Sequence, residues 1–447
     1  MEKQGTEPKK KAVRTGKKGA TTNILARADV FMWDRKVGAV TEYVNGRIGF
    51  SYDPAYLVDG VSISPTFLPI DRGSTRTFEF PELQRQEAFQ GLPGVFSDSL
   101  PDTFGNLIIK NYFASRGESE KAMSPVQKLL YVGNRAMGAL EYRPQLQRHA
   151  PEEDQALEIK SLVESARRLI EGDAGEAIQE IMRVGGSAGG ARAKALILWN
   201  KAKKQVRSGF ARPRAGDEAW LVKFDGVNSA NVRDDQARSF NRVEYTYALL
   251  AKDLDIEMAE VSYLEDEDGL FHFMTRRFDR TGTQKHHMHS LSGMEHVDFN
   301  APQAYSYEAW FRLILELNLG YLALEQAYRR MLFNVVGRNQ DDHVKNISFL
   351  MRDASSGWTL APAYDLTYAA GSNYTRLHQM TVTGLSDNFT RGPLVELGKK
   401  FDIKNPAHLL DRTIDAFAGW PALAATWGIP ASKSDAVASA HRLGLRK

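Results

Sequence analysis

Cysteine is absent from this chain of 447 residues. Its absence excludes disulfides, thiolate metal sites, iron–sulfur clusters and a cysteine nucleophile. Long apolar runs are also missing. No uninterrupted stretch approaches the roughly 18 residues that a membrane-spanning helix needs, so no such helix is expected. Residues 1–20 lack the apolar segment of a secretory signal peptide, so none is predicted there. What remains is a globular protein long enough to build its core by apolar packing alone.

The net charge is small, at +3, and is unevenly distributed. Residues 1–20 contain seven basic and two acidic side chains, so they carry +5 and the rest of the chain carries −2. Because this segment has almost no apolar content, we predict a disordered basic tail over residues 1–24. The tail is either a solubilising arm or a weak contact for nucleic acid. The near-neutral remainder argues against strong DNA binding by the chain alone.

The order of predicted elements indicates an α+β protein. Alternating apolar and polar residues predict short strands from about residue 28, with a hairpin turn at Asn45-Gly46. Pro101 and Asp102 suit the start of a helix over about 103–115. A longer amphipathic helix is predicted over 151–182, followed by a glycine-rich break and further strands.

The densest polar cluster is Asn339-Gln-Asp-Asp-His-Val-Lys-Asn346, which follows an apolar helical segment. Phosphoryl transfer needs one carboxylate to orient the attacking hydroxyl, and a second carboxylate and an amide oxygen to hold Mg²⁺. Protein kinases place the catalytic Asp five residues before the metal-binding Asn, a spacing that Asp341 has and Asp342 lacks. Asp365 lies where a downstream Mg²⁺-binding Asp is expected. The alternative is a solvated loop with capping carboxylates.

Two features precede this cluster in the order typical of kinases. Residues 184–194 contain four glycines and a serine, a composition that lets backbone N–H groups approach phosphates. The loop matches neither a Walker A loop nor G-x-G-x-x-G. Lys223 lies in a predicted strand, as the phosphate-binding lysine of kinases does, and Glu244 in the next helix is its candidate partner. Each feature alone has an ordinary structural explanation, so the order along the chain is what favours a kinase.

With these residues the sequence resembles the HipA family of serine/threonine kinase toxins. The resemblance implies an α+β, bilobal protein-kinase-like fold with an N-terminal β-rich subdomain and a mainly helical C-terminal lobe. The implied divisions are a tail (1–24), the β-rich subdomain (25–150), an N-lobe with the glycine-rich loop (151–280) and a C-lobe with the catalytic loop (281–447). The matching stretches, in family order, are Phe96-Ser-Asp-Ser-Leu-Pro-Asp, Gly185-Gly-Ser-Ala-Gly-Gly-Ala-Arg-Ala-Lys, Arg277-Phe-Asp-Arg, the Asn339–Asn346 cluster and Ala363-Tyr-Asp-Leu.

The same resemblance implies a role for individual residues. Asp341 would be the catalytic base, Asn346 and Asp365 would hold Mg²⁺, and Lys223, paired with Glu244, would contact the phosphates of ATP. Ser187 matches the family's autophosphorylated serine, and a phosphate there would displace the loop from ATP and inactivate the enzyme. The family hinge often reads Glu-Arg-Phe-Asp-Arg, and Arg276 stands at the position of its Glu. The other residues implied to bind ATP are Gly189, Gly190, Ala191, Arg192, Ala193, Lys194, Arg276, Arg277, Phe278, His343, Lys345 and Tyr364.

The resemblance also implies ATP and Mg²⁺ as cofactors, a cytoplasmic location, and phosphorylation of an aminoacyl-tRNA synthetase, notably the glutamyl enzyme, to stall translation. The implied partner is a small helix-turn-helix antitoxin of the HipB kind, with which the chain would bind operator DNA and repress its own operon. Two other interpretations remain open. One is a small-molecule kinase on a similar core, and the other is a kinase-like scaffold that acts as a DNA-bound corepressor.

Overall fold

The computed structural model describes residues 23–72, 75–115, 123–146, 155–172, 177–182, 184, 192–227, 239–371 and 373–446. Residues 1–22 of the predicted basic tail lie outside this part of the chain. So do Ser187 and three predicted ATP-binding residues, Gly189, Gly190 and Ala191.

An antiparallel five-stranded sheet forms the N-terminal part of the protein. Its strands are β1 (Ile24–Met32), β2 (Arg35–Tyr43), β3 (Ile48–Tyr52), β4 (Thr77–Glu79) and β5 (Leu140–Arg143), in the spatial order β4-β3-β2-β1-β5. Alternate residues of β1 are buried, as the alternating pattern predicts: Ala28, Val30 and Met32 face the core. The predicted Asn45-Gly46 turn joins β2 to β3. Helices accompany the sheet at Pro81–Arg85, which is 3₁₀, Gly94–Ser97 and Pro125–Val132.

A six-stranded antiparallel sheet forms the N-lobe. Its strands are β6 (Ala156–Leu157), β7 (Lys194–Asn200), β8 (Gln205–Ser208), β9 (Glu218–Lys223), β10 (Val261–Glu265) and β11 (Phe271–Arg276), in the order β10-β11-β9-β7-β8-β6. The helix Phe240–Asp253 contacts β10 and β11. The helix Thr103–Ser115 begins where it was predicted, and its Phe104 and Ile108 join the apolar core of this sheet.

The helix predicted over residues 151–182 was wrong in its extent. The structure has the short strand β6 and two helices, Ile159–Glu171 and Ala177–Met182. Gly172 ends the first helix with φ 89°, and its N–H bonds back to the carbonyls of Arg168 and Leu169. A residue without Cβ adopts this left-handed conformation at no steric cost, so the helical pattern is interrupted there.

The C-lobe is mainly helical and contains the largest apolar core. A three-stranded sheet, His287–Ser290, Ser348–Met351 and Thr359–Leu360, lies at its junction with the N-terminal part. Two pairs of short strands also form: Arg280–Thr281 pairs with Gln284–Lys285, and Tyr305–Ser306 pairs with Met380–Thr381. The 3₁₀ helices are Val344–Asn346, Asn373–Arg376 and Leu443–Arg446. Its helices are Leu291–Glu295, Tyr307–Glu316, Gly320–Gly337, Arg391–Lys400, Pro406–Ala418, Trp420–Thr426 and Ala431–Ala440. No helix among the described residues is long and apolar enough to cross a bilayer.

Candidate active site

A cleft of about 540 Å³ opens where the three parts of the protein meet. The end of β9, the hinge after β11 and the loop 341–346 line it from the two lobes. Residues 97–106 close it from the N-terminal side. The predicted site residues that line it are Lys194, Lys223, Arg276, Arg277, Phe278, Asp341, His343, Lys345, Asn346, Tyr364 and Asp365.

Lys223 connects the two lobes at the base of this cleft. Its Nζ donates to Glu244 Oε1 at 2.6 Å and also contacts the Asp365 carboxylate. The side chains of Lys223 and Glu244 are 12% and 3% exposed, so the pair is largely removed from water. Burial by itself lowers the pKa of Lys223, but Asp365 and Glu244 outweigh it and raise that pKa above its ordinary value. The ammonium therefore stays charged.

The two adjacent aspartates of the loop 339–346 differ in environment. Asp342 is buried and accepts hydrogen bonds from the Tyr307 hydroxyl, His378 Nδ1 and the Gln379 N–H, each at 2.8 Å. Asp341 faces the cleft with 42% of its side chain exposed. Asp342 therefore anchors the loop, and Asp341 is the one of the two that is accessible from the cleft.

The pKa of Asp341 is raised above its ordinary value. Burial is the largest cause, and the negative charges of Asp365 and Asp342 act in the same direction. His343 Nε2 lies 3.7 Å from Asp341 Oδ1 and opposes the shift. A carboxylate with a raised pKa binds a proton more readily, which is the property required of a general base.

Asn346 is oriented by its own loop. Its Nδ2 donates to the Asp341 carbonyl at 3.0 Å, which leaves the carboxamide oxygen as the atom that can bind a cation. Asp365 provides a carboxylate in the same cleft and has a left-handed backbone, φ 54°, that few residues other than Gly, Asn and Asp adopt. No group of three or more acidic or histidine residues suited to a metal occurs in the described part of the chain.

These oxygens fit Mg²⁺ bound together with a nucleotide. Mg²⁺ prefers hard oxygen ligands, and in phosphotransfer sites it takes one or two from the protein and the rest from phosphates and water. Asn346 and Asp365 provide that number.

The hinge residues lie in the cleft, but their charged groups are engaged elsewhere. Arg276 bridges Glu260 at 2.7 Å and Glu218 at 3.2 Å. Arg277 is buried and donates two hydrogen bonds to Asp279. The guanidinium groups of both residues are therefore already paired with carboxylates.

The aromatic residues and Lys345 lie around the loop. The Phe278 ring is 5.5 Å from the Tyr364 ring. The Tyr364 hydroxyl donates to the Lys345 carbonyl at 2.9 Å and lies 2.6 Å from Ser348 Oγ. Lys345 Nζ donates to Asp98 Oδ1 at 2.5 Å, a contact with the N-terminal part of the protein.

Residues 192–194 follow the glycine-rich loop. Arg192 Nη1 lies 3.6 Å from Glu244 Oε2 and donates to Asn241 Oδ1 at 3.3 Å. Ala193 is buried in the N-lobe core and does not line the cleft. Lys194 Nζ lies 2.9 Å from Asp102 Oδ2, with both side chains at most 5% exposed.

Sequence reasoning missed Asp98 and Asp102 as residues of the cleft. Both line it, and each bonds a lysine that was predicted to bind ATP. The sequence assigns the stretch Phe96-Ser-Asp-Ser-Leu-Pro-Asp a helix start at Pro101 and Asp102 and a point of family resemblance, but no place in the site. The sequence signal that could have revealed them is the pair of acidic residues within five positions. Nothing local in the sequence indicates which lysines these two residues contact.

Comparison with known proteins yields two family matches. A model of the HipA N-terminal domain matches residues 28–143, and a model of the HipA-like C-terminal domain matches residues 186–422. A search of curated proteins found no match.

Among solved structures, the HipA of the Shewanella oneidensis MR-1 toxin–antitoxin system, in complex with HipB and its operator DNA, aligns with a TM-score of 0.61 at 17% identity. The alignment covers 94% of this chain and 96% of that one. The Helicobacter pylori proinflammatory kinase CtkA aligns with a TM-score of 0.33 at 10% identity, over 51% of this chain and 89% of that one. The family matches and the Shewanella structure confirm the predicted bilobal, kinase-like α+β fold.

Proposed function

Because this chain belongs to the HipA family, we propose that it is a serine/threonine-protein kinase that uses ATP and Mg²⁺ and acts as the toxin of a type II toxin–antitoxin system. The observation that carries this proposal is the ion pair of Lys223 with Glu244, in the same cleft as Asp341, Asn346 and Asp365. Protein kinases need a Lys–Glu pair of this kind, a catalytic Asp and metal-binding oxygens, all at one site.

Each of these side chains has a chemical task in the transfer. When bound, ATP would supply the phosphoryl group, and Mg²⁺ would neutralise charge on its phosphates. Asp341 would accept the proton of the acceptor hydroxyl as the hydroxyl oxygen forms its bond to the γ-phosphorus, while the bond from that phosphorus to the β,γ-bridging oxygen breaks and ADP leaves. Lys223, held in place by Glu244, would bind phosphate oxygens, and Asn346 and Asp365 would hold the cation. Asp342 fixes the loop that carries Asp341.

Ser187 is the site at which the enzyme modifies and inactivates itself in this proposal. A phosphate adds a charge of about −1.5 to −2 to the glycine-rich loop. The loop leads directly into Arg192, beside Glu244, and the carboxylates of the cleft would repel the added charge. The loop would then no longer cover a nucleotide.

We further propose a partner and a protein substrate. The partner is a HipB-like helix-turn-helix antitoxin that brings the chain to operator DNA; the Shewanella HipA is found with HipB on its operator, which supports this assignment. The substrate is an aminoacyl-tRNA synthetase in the cytoplasm, the glutamyl enzyme by family resemblance. Its phosphorylation would stall translation.

Intact-mass measurement tests the kinase assignment. The wild type, incubated with ATP and Mg²⁺, should gain one phosphate, located at Ser187 by fragmentation, and chelation by EDTA should prevent the gain. Asp341→Ala should gain none. Asp435→Ala, which removes an exposed carboxylate from a distant helix, is the matched control and should behave as the wild type. An unmodified wild type that still binds ATP would contradict autophosphorylation.

Purified glutamyl-tRNA synthetase tests the substrate assignment. Incubation with the wild type and ATP should add phosphate to the synthetase and reduce its aminoacylation rate, and Asp341→Ala should do neither. If autophosphorylation occurs but the synthetase is untouched, the kinase assignment stands and the substrate assignment fails. A screen of small-molecule acceptors would then be the appropriate next experiment.

A further inference from the structure

Residues 98–102 connect all three parts of the protein beside the cleft. The Asp98 carboxylate accepts hydrogen bonds from C-lobe residues: His289 Nδ1 and the Ser290 N–H donate to Oδ2 at 2.7 Å, and the Ser290 hydroxyl and Lys345 Nζ donate to Oδ1 at 2.5 Å. Ser99 Oγ lies 2.7 Å from the hydroxyl of Tyr142 in the N-terminal sheet. One end of the segment is thus fixed to the C-lobe.

The other end of the segment is fixed to the N-lobe. Asp102 Oδ2 bonds Lys194 Nζ at 2.9 Å, and Oδ1 accepts from the Gly105 N–H at 2.6 Å, which caps the following helix. Lys194 begins β7, the strand that follows the glycine-rich loop. The two carboxylates therefore hold one lysine on each side of the cleft.

Apolar packing keeps this segment in place. Phe96, just before it, is buried in the core of the N-terminal sheet, and Phe104, just after it, is buried in the N-lobe core. A chain anchored in two different cores cannot shift either aspartate far without disturbing packing. The aspartates are consequently pre-positioned for their lysines.

The lysines of the cleft are all neutralised by carboxylates. Lys223 is bonded by Glu244 and Asp365, Lys194 by Asp102 and Lys345 by Asp98. The described residues in and beside the cleft include three ammonium groups, Lys194, Lys223 and Lys345, and six carboxylates, Glu87, Asp98, Asp102, Glu244, Asp341 and Asp365. Triphosphate oxygens entering this region would compete with Asp98 and Asp102 for the same cations.

We propose that residues 98–102 are an interlobe clamp in which Asp98 and Asp102 hold Lys345 and Lys194, and that a nucleoside triphosphate binds by taking these two lysines onto its phosphates and releasing the clamp. This inference rests on the proposed function, since it requires nucleotide in the cleft. Asp98 and Asp102 are positioning residues that act through the lysines. When phosphates bind the two lysines, the connection that residues 98–102 make between the lobes is therefore loosened.

The clamp changes affinity for phosphates but not for the nucleoside, so the affinity ratio for MgATP over adenosine tests it. The ratio is measured by calorimetry in an Asp341→Ala background, in which no transfer occurs. Asp98→Asn and Asp102→Asn should each raise it about tenfold, because a neutral amide releases the lysine more easily than a carboxylate does. A purely structural role would change both affinities alike and leave the ratio as it was.

Asp217→Asn provides the matched control. It weakens an equally buried pair, Arg207 with Asp217, in the same lobe, where both side chains are at most 4% exposed and outside the cleft. The ratio of MgATP affinity to adenosine affinity should be the same for this control as for the Asp341→Ala chain without further substitution. If MgATP binds and both clamp variants leave the ratio unchanged or lower, the clamp is wrong and the kinase assignment survives. If the unsubstituted chain binds no MgATP at all, the kinase assignment fails.

Hydrogen exchange on the wild type provides a test that needs no substitution. Peptides covering residues 97–107 should exchange faster with a non-hydrolysable MgATP analogue than with adenosine, since only the analogue releases Asp98 and Asp102. Slower exchange of this segment with the analogue would overturn the clamp. This measurement decides the question even if a substituted chain fails to fold.

Discussion

Lys223 and Glu244 form a buried ion pair that joins the last residue of a sheet strand to the helix packed on that sheet. The separation of Lys223 Nζ from Glu244 Oε1 is 2.6 Å, and the same ammonium contacts Asp365 in the C-lobe. Lys223 therefore contacts a residue of each lobe. A change in how the lobes are arranged must alter at least one of these two contacts.

Substitution of Lys223 should therefore impair transfer strongly. We expect Lys223→Met to lower the initial rate of autophosphorylation by about 10² or more, because one preorganised cation is lost from the phosphate region. Glu244→Gln should lower it by about tenfold, since the lysine remains but is less well held. Lys160→Met removes an exposed lysine that pairs with Asp268 on the surface and should leave the rate unchanged. Equal rates for Lys223→Met and the wild type would exclude a role in transfer.

Substitution of Asp341 should mainly lower activity, whereas substitution of Asp342 should mainly lower stability. Asp341→Asn should reduce transfer by about 10² to 10⁴ and change the free energy of unfolding by no more than about 0.5 kcal/mol, because its side chain faces the cleft. Asp342→Asn should cost about 2 to 4 kcal/mol, because an amide cannot satisfy its three buried donors. Urea unfolding and rate measurements on both variants check this. The opposite pattern would make Asp342 the reacting group.

The buried carboxylate of Asp279 should stabilise the folded protein at the hinge. Its carboxylate accepts from Arg277, from Arg280 and from the Gly138 N–H, and it is fully buried. Asp279→Asn leaves two buried guanidinium groups without their carboxylate, so we expect a loss of about 3 to 5 kcal/mol in chemical denaturation. The surface variant Asp268→Asn should change stability by less than about 0.5 kcal/mol. A similar small effect at Asp279 would mean that the arginines find other partners.

Buried histidines should make stability fall in mildly acidic solution. Burial lowers the pKa of His287 to about 4, of His441 to about 4 and of His296 to about 3. Unfolded histidine titrates near 6.5, so below that pH the unfolded chain takes up protons that the folded chain refuses. The contribution of these histidines to the free energy of unfolding is therefore fully present above about pH 6.5. It declines as pH falls towards 4, by on the order of 3 kcal/mol for His287 alone.

Urea midpoints measured between pH 7 and pH 4 check this decline. His287→Gln keeps a donor for the Ile63 carbonyl, which His287 Nε2 contacts at 2.8 Å, but removes the titrating group. Its midpoint should therefore depend less steeply on pH than that of the wild type. Carboxylates titrate in both proteins and cancel in the comparison. Identical slopes would show that His287 does not contribute.

The sequence by itself determined the order of most elements and which residues are candidates for the site. Period-two alternation predicted the first strands, because one face of each strand must be buried whatever surrounds it. The spacing of Asp341 to Asn346 and a lysine in a predicted strand are local features that match the pattern of protein kinases. The family matches confirm the fold that the resemblance implied. The catalytic, metal-binding and ATP-binding roles themselves stay predictions.

The sequence already indicates Glu244 as the candidate partner of Lys223, but only the tertiary structure decided which partners the other site residues meet. Asp341 and Asp342 are neighbours of the same type, and the burial of Asp342 against Tyr307 and His378 is what leaves Asp341 in the cleft. Arg277 turns away to Asp279, and Lys345 meets Asp98 across 247 residues of chain. No local pattern encodes such pairs, because they arise where separately folded cores bring distant segments together. Hydrophobic periodicity specifies which face of an element is buried, whereas the choice of charged partner depends on the packing of the whole chain.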